Sequence, residues 1–129
     1  MTTETTFADW TNEVIRLAEA KGLDVTRLYH DCLVRFWDKN ISVEDTVLAL
    51  QAEQRCSGKP KAFMSAKLCG CFYCMTFFGP EDINWLFDNG IAWCPYCVTD
   101  TVLPETDDYP ISRELLDKLH DLLFSRVFP

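Results

Sequence analysis

No stretch of the 129-residue chain approaches the roughly 18 consecutive apolar residues that a membrane helix needs, so a spanning role is not expected. The opening Met1-Thr-Thr-Glu-Thr-Thr6 lacks a basic n-region and an apolar h-region, so no signal peptide is expected and a reducing cytoplasm is the expected location. Histidine is scarce, with two residues, and there is no G-x-G-x-x-G, no P-loop and no H-E-x-x-H. No Ser-His-Asp or Cys-His set can be assembled from what is present, so no catalytic residue is assigned. Positive charge is also short: 12 Lys and Arg face 20 Asp and Glu, a formal net charge of -8. That balance argues against a generally basic nucleic-acid binder and against a protein drawn to anionic membranes.

What the chain has is enough apolar mass for one core, at 48% hydrophobic and 13% aromatic residues, which excludes wholesale disorder. Its seven cysteines are the odd feature, since an odd number leaves at least one outside any intramolecular disulfide set. Charge is unevenly placed. Residues 55–80 hold Arg55, Lys59, Lys61 and Lys67 and no acid, whereas residues 81–110 hold acids and no base. A basic strip therefore precedes a strongly acidic stretch.

The apolar spacing predicts a single domain over 1–129 with a helical subregion at 1–54. Phe7, Trp10, Val14, Leu17 and Ala18 recur at helical intervals, and Gly22 supplies a stop. Val25, Leu28, Tyr29, Cys32, Leu33, Phe36 and Trp37 form a second stripe with Asp24 as its N-cap. Ser42-Val-Glu-Asp45 resembles a capping box opening a third helix with Val43, Val47, Leu48 and Leu50. The pattern then lapses from Gln54 to Lys67, which reads as a connector. A short helix is expected over Ile83 to Phe87, stopping at Gly90, and strand-like residues run from Val98 to Leu103. Ser112 caps a last helix carrying Leu115, Leu116, Leu119, Leu122 and Leu123, within residues 111–127. The predicted class is α+β: an N-terminal helical region, a zinc-ribbon-like module of two knuckles over 69–103, and a C-terminal helix.

Chemistry concentrates in Cys71-Phe-Tyr-Cys74 and Cys94-Pro-Tyr-Cys97, two C-x2-C pairs at zinc-site separation. A two-residue gap lets a tight turn aim both thiolates at one centre, and the intervening chain is long enough to fold back with the second pair. The expected cofactor is one structural Zn2+ on Cys71, Cys74, Cys94 and Cys97, with Cys69 as a possible substitute for Cys71. Four thiolates fill a tetrahedron and leave no open position for water or substrate. Cys94-Pro-Tyr-Cys97 also matches the glutaredoxin active-site motif, which keeps thiol redox catalysis as an alternative. Such a fold needs a long helix starting at the motif, and Val98-Thr-Asp-Thr-Val-Leu-Pro104 is β-branched and ends in proline. His120 reads as a hydrogen-bonded core-edge residue. Phe72, Tyr73, Phe77, Phe78, Trp85, Trp93 and Tyr96 read either as a miniature core or as a stacking surface for bases.

Cys69-Gly-Cys-Phe-Tyr-Cys74, Trp85, the run from Ala92 to Val102, Tyr109-Pro-Ile-Ser112 and His120 together resemble a group of short bacterial proteins catalogued as "cytoplasmic protein". The resemblance covers Leu68 to Phe124 and implies a zinc site on the knuckle cysteines, with no known activity. The chain departs from that pattern at Val98, where glycine is usual, and residues 1–54 lie outside it. The expected function is that of a non-enzymatic protein acting by protein–protein contact, in the manner of acidic inhibitors, immunity proteins or antitoxins. The alternative is a nucleic-acid-binding zinc-ribbon regulator using Arg55, Lys59, Lys61 and Lys67.

Overall fold

The computed structural model describes residues 5–28, 30–56, 60–83, 85 and 91–127. The chain divides into two compact units, Met1–Gln51 and Ala52–Pro129. The elements form an α+β fold: five α-helices and one small antiparallel sheet among the described residues.

In the first unit, α1 (Phe7–Ala20) begins where the Thr6 side chain accepts the Asp9 N–H, satisfying a donor the helix cannot. It ends as the glycine predicts. Gly22 sits at φ 77°, and Leu23 N donates to Ala18 O, closing the turn over the last carbonyls. Trp10, Val14 and Ala18 are the buried face, and Trp10 Nε1 donates to Ile41 O at 3.2 Å. The second stripe is broken where the periodicity predicts continuity. The Asp24 carboxylate accepts both the N–H and the hydroxyl of Thr26, closing a single 3-10 turn over Val25–Arg27, after which Leu28 is extended. The α-helix proper, α2, spans His30–Asp38 and buries Leu33 and Phe36, while Tyr29 lies outside the described residues. The capping-box reading of Ser42 is half realised: its hydroxyl accepts the Asp45 N–H at the start of α3 (Val43–Cys56).

In the second unit, the expected connector contains a helical turn, α4 (Pro60–Met64). Pro60 suits the first helical position, and Phe63, fully buried, was hidden by the lack of a second periodic residue. A 3-10 turn at Pro80–Asp82 precedes the stretch where a helix is expected over Ile83 to Phe87, and Ile83 itself is not helical. Residues 84 and 86–90, including the expected stop at Gly90, lie outside the described residues.

The sheet has the order β2-β1-β3, all antiparallel, with β1 (Cys69–Cys71) in the centre, β2 (Phe77–Phe78) and β3 (Val102–Pro104) beside it. Cys69 pairs with Phe78 and Pro104, Gly70 with Phe77 and Leu103, and Cys71 with Val102. Side chains alternate across a sheet, so this register gives it two different faces. Cys69, Cys71, Phe78 and Val102 join Phe63, Ala66, Ile83, Ala92 and Cys94 in one apolar cluster. Gly70 lies on the other face. A Cβ there would sit 3.1 Å from Leu116 Cδ1 and 3.2 Å from Ile111 Cδ1. Leu116 belongs to α5 (Arg113–His120), which Ser112 caps through the Leu115 N–H and which continues as a π-helix over Asp121–Val127.

Candidate metal centre

The two knuckles have the same backbone design. Cys71 N donates to Thr76 O at 3.0 Å, and Cys94 N donates to Thr99 O at 2.9 Å. Met75 and Val98, each directly after the second cysteine of its pair, both take positive φ, at 59° and 56°. The first knuckle is the hairpin between β1 and β2. The second leads into β3, whose pairing with β1 brings the two turns to one place.

There the four thiols converge. The Sγ atoms of Cys71, Cys74, Cys94 and Cys97 all lie within 4.8 Å of one another. Cys71 to Cys97 and Cys74 to Cys94 are each 3.6 Å apart, too far for a disulfide bond of about 2 Å. A tetrahedral zinc–thiolate centre with bonds of about 2.3 Å has an S···S edge of about 3.8 Å, so the donor set and its spacing fit such an ion. Cys69 lies outside this group. It is fully buried in the apolar cluster, and burial followed by the nearby Glu81 charge pushes its thiol up to about 11.

Burial also raises the Cys94 thiol to about 12 and raises Cys97. At Cys74 burial opposes ionisation too, but hydrogen bonds with Thr76 and the neighbouring thiols carry it down to about 7. Four thiolates so close in a half-dry site would repel one another. A cation bound among them would remove that repulsion.

Hydrogen bonds surround the sulfurs. Cys71 Sγ accepts the backbone N–H of Tyr73 at 3.3 Å and of Cys74 at 3.5 Å, and Cys94 Sγ accepts that of Tyr96 at 3.4 Å. Thr76 lies 3.2 Å from Cys74, Thr99 3.0 Å from Cys97, and Thr101 3.1 Å from Cys71. Sequence reasoning passed over these threonines. The signal was present: each pair extends to Cys-x-Tyr-Cys-x-Thr, in Cys71–Thr76 and Cys94–Thr99.

His120 is not one of the four-thiol group. Its Nδ1 is 3.2 Å from Phe72 O, and a carbonyl only accepts, so that nitrogen carries the hydrogen. The histidine thus tethers the C-terminal helix to the residue after Cys71. The aromatics divide by exposure. Phe72 and Phe78 are buried, whereas Tyr73 and Tyr96, at matching places in the two knuckles, are 44% and 63% exposed. No helix starts at Cys94-Pro-Tyr-Cys97; the chain turns and passes into β3, unlike a glutaredoxin-type site.

The described part of the basic strip is partly outward-facing: Lys61 and Lys67 are exposed, and Arg55 is half-buried. The Arg55 guanidinium stacks 4.1 Å from the Tyr109 ring centroid and lies 3.8 Å from an Asp108 carboxylate oxygen. Lys67 lines a cleft of about 550 Å³ together with Glu105 and Asp107, and Lys59 lies outside the described residues.

Val98 carries a cost in this geometry. A left-handed conformation is unfavourable for an L-residue by roughly 1–2 kcal/mol, and most for a β-branched one. Its side chain is half exposed, so little packing offsets the strain. Val98→Gly is expected to stabilise the metal-loaded protein by about 1 kcal/mol, read as a higher thermal midpoint. A midpoint at or below that of the unaltered protein would refute the assignment of strain.

Among the described residues no helix is long and apolar enough to cross a membrane. No family model, no curated protein and no solved structure matches this chain, so its own four-thiol geometry is the ground on which its function is read.

Proposed function

We propose that the protein is a zinc-stapled, non-enzymatic interaction module of the cytoplasm, which holds one structural ion on Cys71, Cys74, Cys94 and Cys97 and presents its knuckles to another protein. The observation that carries this reading is the closed donor set: four protein thiols at tetrahedral spacing occupy every corner, leaving no position for a reacting group. Two further features favour contact as the mode of action. Tyr73 and Tyr96 stand exposed on the two turns, and tyrosine supplies large contact area at small entropic cost. The surplus of acids over residues 81–110 favours a basic partner, in the manner of an acidic inhibitor or immunity protein. The nucleic-acid reading draws less support, because Arg55 is engaged by Tyr109 and Asp108 and Lys67 shares its cleft with two carboxylates.

The test combines metal analysis with capture. The purified chain should carry one zinc per molecule and retain a single stoichiometric protein from extract of its source cells. Tyr73→Ala/Tyr96→Ala should keep the zinc and lose that protein. Capture unaffected by the double substitution would remove the knuckles from the interface, and absence of any stoichiometric partner would sink the interaction reading.

A further inference from the structure

Thr101 is one of two fully or nearly buried polar side chains among the described residues, the other being Thr46. A valine would fill the same space at position 101 without a hydroxyl to satisfy. The hydroxyl has a specific place: Thr101 Oγ1 is 3.1 Å from Cys71 Sγ and 2.7 Å from Thr99 Oγ1, which is in turn 3.0 Å from Cys97 Sγ. Cys71 and Cys97 belong to different knuckles and are themselves 3.6 Å apart. The two hydroxyls therefore bridge one edge of the thiol tetrahedron from outside.

We propose that Thr99 and Thr101 are positioning residues of the metal centre, a hydroxyl relay that lies along the Cys71–Cys97 edge, donates to one or the other of its two sulfurs, and so sets how long the ion is retained. The proposal rests on the metal reading above and adds the residues that control the ion's release. A metal-bound thiolate has no hydrogen to give, so every hydrogen bond to it must be donated. Two hydroxyl hydrogens serve three links. Either Thr99 donates to Thr101 and Thr101 to Cys71, or Thr101 donates to Thr99 and Thr99 to Cys97. In both arrangements the O–H on sulfur is polarised by the second hydroxyl, which strengthens it. Because either hydroxyl can turn to its own sulfur when the other is lost, single substitutions should cost less than the pair. Hydrogen bonds to metal-bound thiolates withdraw electron density from sulfur, which shows in the spectrum of the loaded site as well as in retention.

The experiment uses the full chain loaded with Co(II), whose sulfur-to-metal charge-transfer band reports on the thiolates. Thr99→Val/Thr101→Val keeps the β-branched shape and removes both hydroxyls. It should release cobalt to a competing chelator about 10–100-fold faster than the unaltered protein, with the charge-transfer band moved to lower energy. Thr99→Ser/Thr101→Ser restores the hydroxyls and should restore both readouts. Thr46→Val, in the N-terminal unit, should leave both unchanged. The relay is refuted if the valine pair retains cobalt with an unmoved band, if the serine pair leaks like the valine pair, or if Thr46→Val leaks equally. Failure of the unaltered protein to bind cobalt at all would overturn the metal centre itself, which separates the two readings.

Discussion

Cys71→Ser should abolish metal retention and leave the Ala52–Pro129 unit without a cooperative thermal transition. The sheet there has strands of three, two and three residues, too short to be stable alone, and its apolar cluster is built around the thiols. A structural zinc contributes on the order of 10–16 kcal/mol in small metal-dependent folds, whereas whole domains are stable by roughly 5–15 kcal/mol. Losing the ion therefore removes more than such a unit has to spare. A hydroxyl at position 71 is a poor ligand, and the three remaining thiols would be left crowded without a counter-ion. Chelation of the unaltered protein should reproduce the effect, and added zinc should reverse it. Cys69→Ser is the informative companion. It places a hydroxyl in an apolar pocket at a cost of about 1–3 kcal/mol but should keep one ion per chain. Metal analysis and near-ultraviolet circular dichroism on both variants decide the matter: loss of the ion in Cys69→Ser rather than Cys71→Ser would reassign the ligand.

The second large effect is expected on the opposite face of the same strand. Leu116 is fully buried, and its Cδ1 fills the space that a side chain on Gly70 would need. Leu116→Ala should lower stability by about 2–5 kcal/mol through lost burial and the cavity left behind. Gly70→Ala should cost about 1–3 kcal/mol for the reverse reason, since Leu116 and Ile111 must give way to the new methyl. Both changes compete for one volume, so Gly70→Ala/Leu116→Ala should be less damaging than the two losses added together. Chemical denaturation of the four proteins measures that coupling. Strict additivity would mean that Gly70 is not the point of contact the geometry makes it.

The knuckles were legible in the sequence because their chemistry is local. The two-residue gaps of Cys71–Cys74 and Cys94–Cys97 specify a turn that aims two sulfurs together, whatever surrounds it. α1 was legible for a similar reason, since the spacing from Trp10 to Ala18 and the stop at Gly22 each act within a turn or two. The second helix was legible only in part: Asp24 caps a turn, as its residue type suggests, but Leu28 turns extended after it, and apolar spacing cannot register that break. Phe63 was missed because a single turn has no period to count. The choice between Cys69 and Cys71 also lay beyond sequence, since both sit on one face of β1 and only the register with β3 and the return of the second knuckle separate them. The threonines stood in view as a repeat of six residues, but their use depends on distances across the fold.

That repeat has a consequence for the route by which the protein folds. Each turn, from Cys71 to Thr76 and from Cys94 to Thr99, closes on its own backbone bond and holds two sulfurs within four residues. Either half can therefore catch an ion before the rest of the chain is organised. The 19 residues between Cys74 and Cys94 must then close; a loop of about half that length does so in the order of 10–100 ns, far faster than a non-local sheet finds its register. An ion held by one turn would act as a nucleus, recruiting the other turn and aligning β3 on β1 as it arrives. Metal supply, rather than the search for strand register, would set the pace of folding.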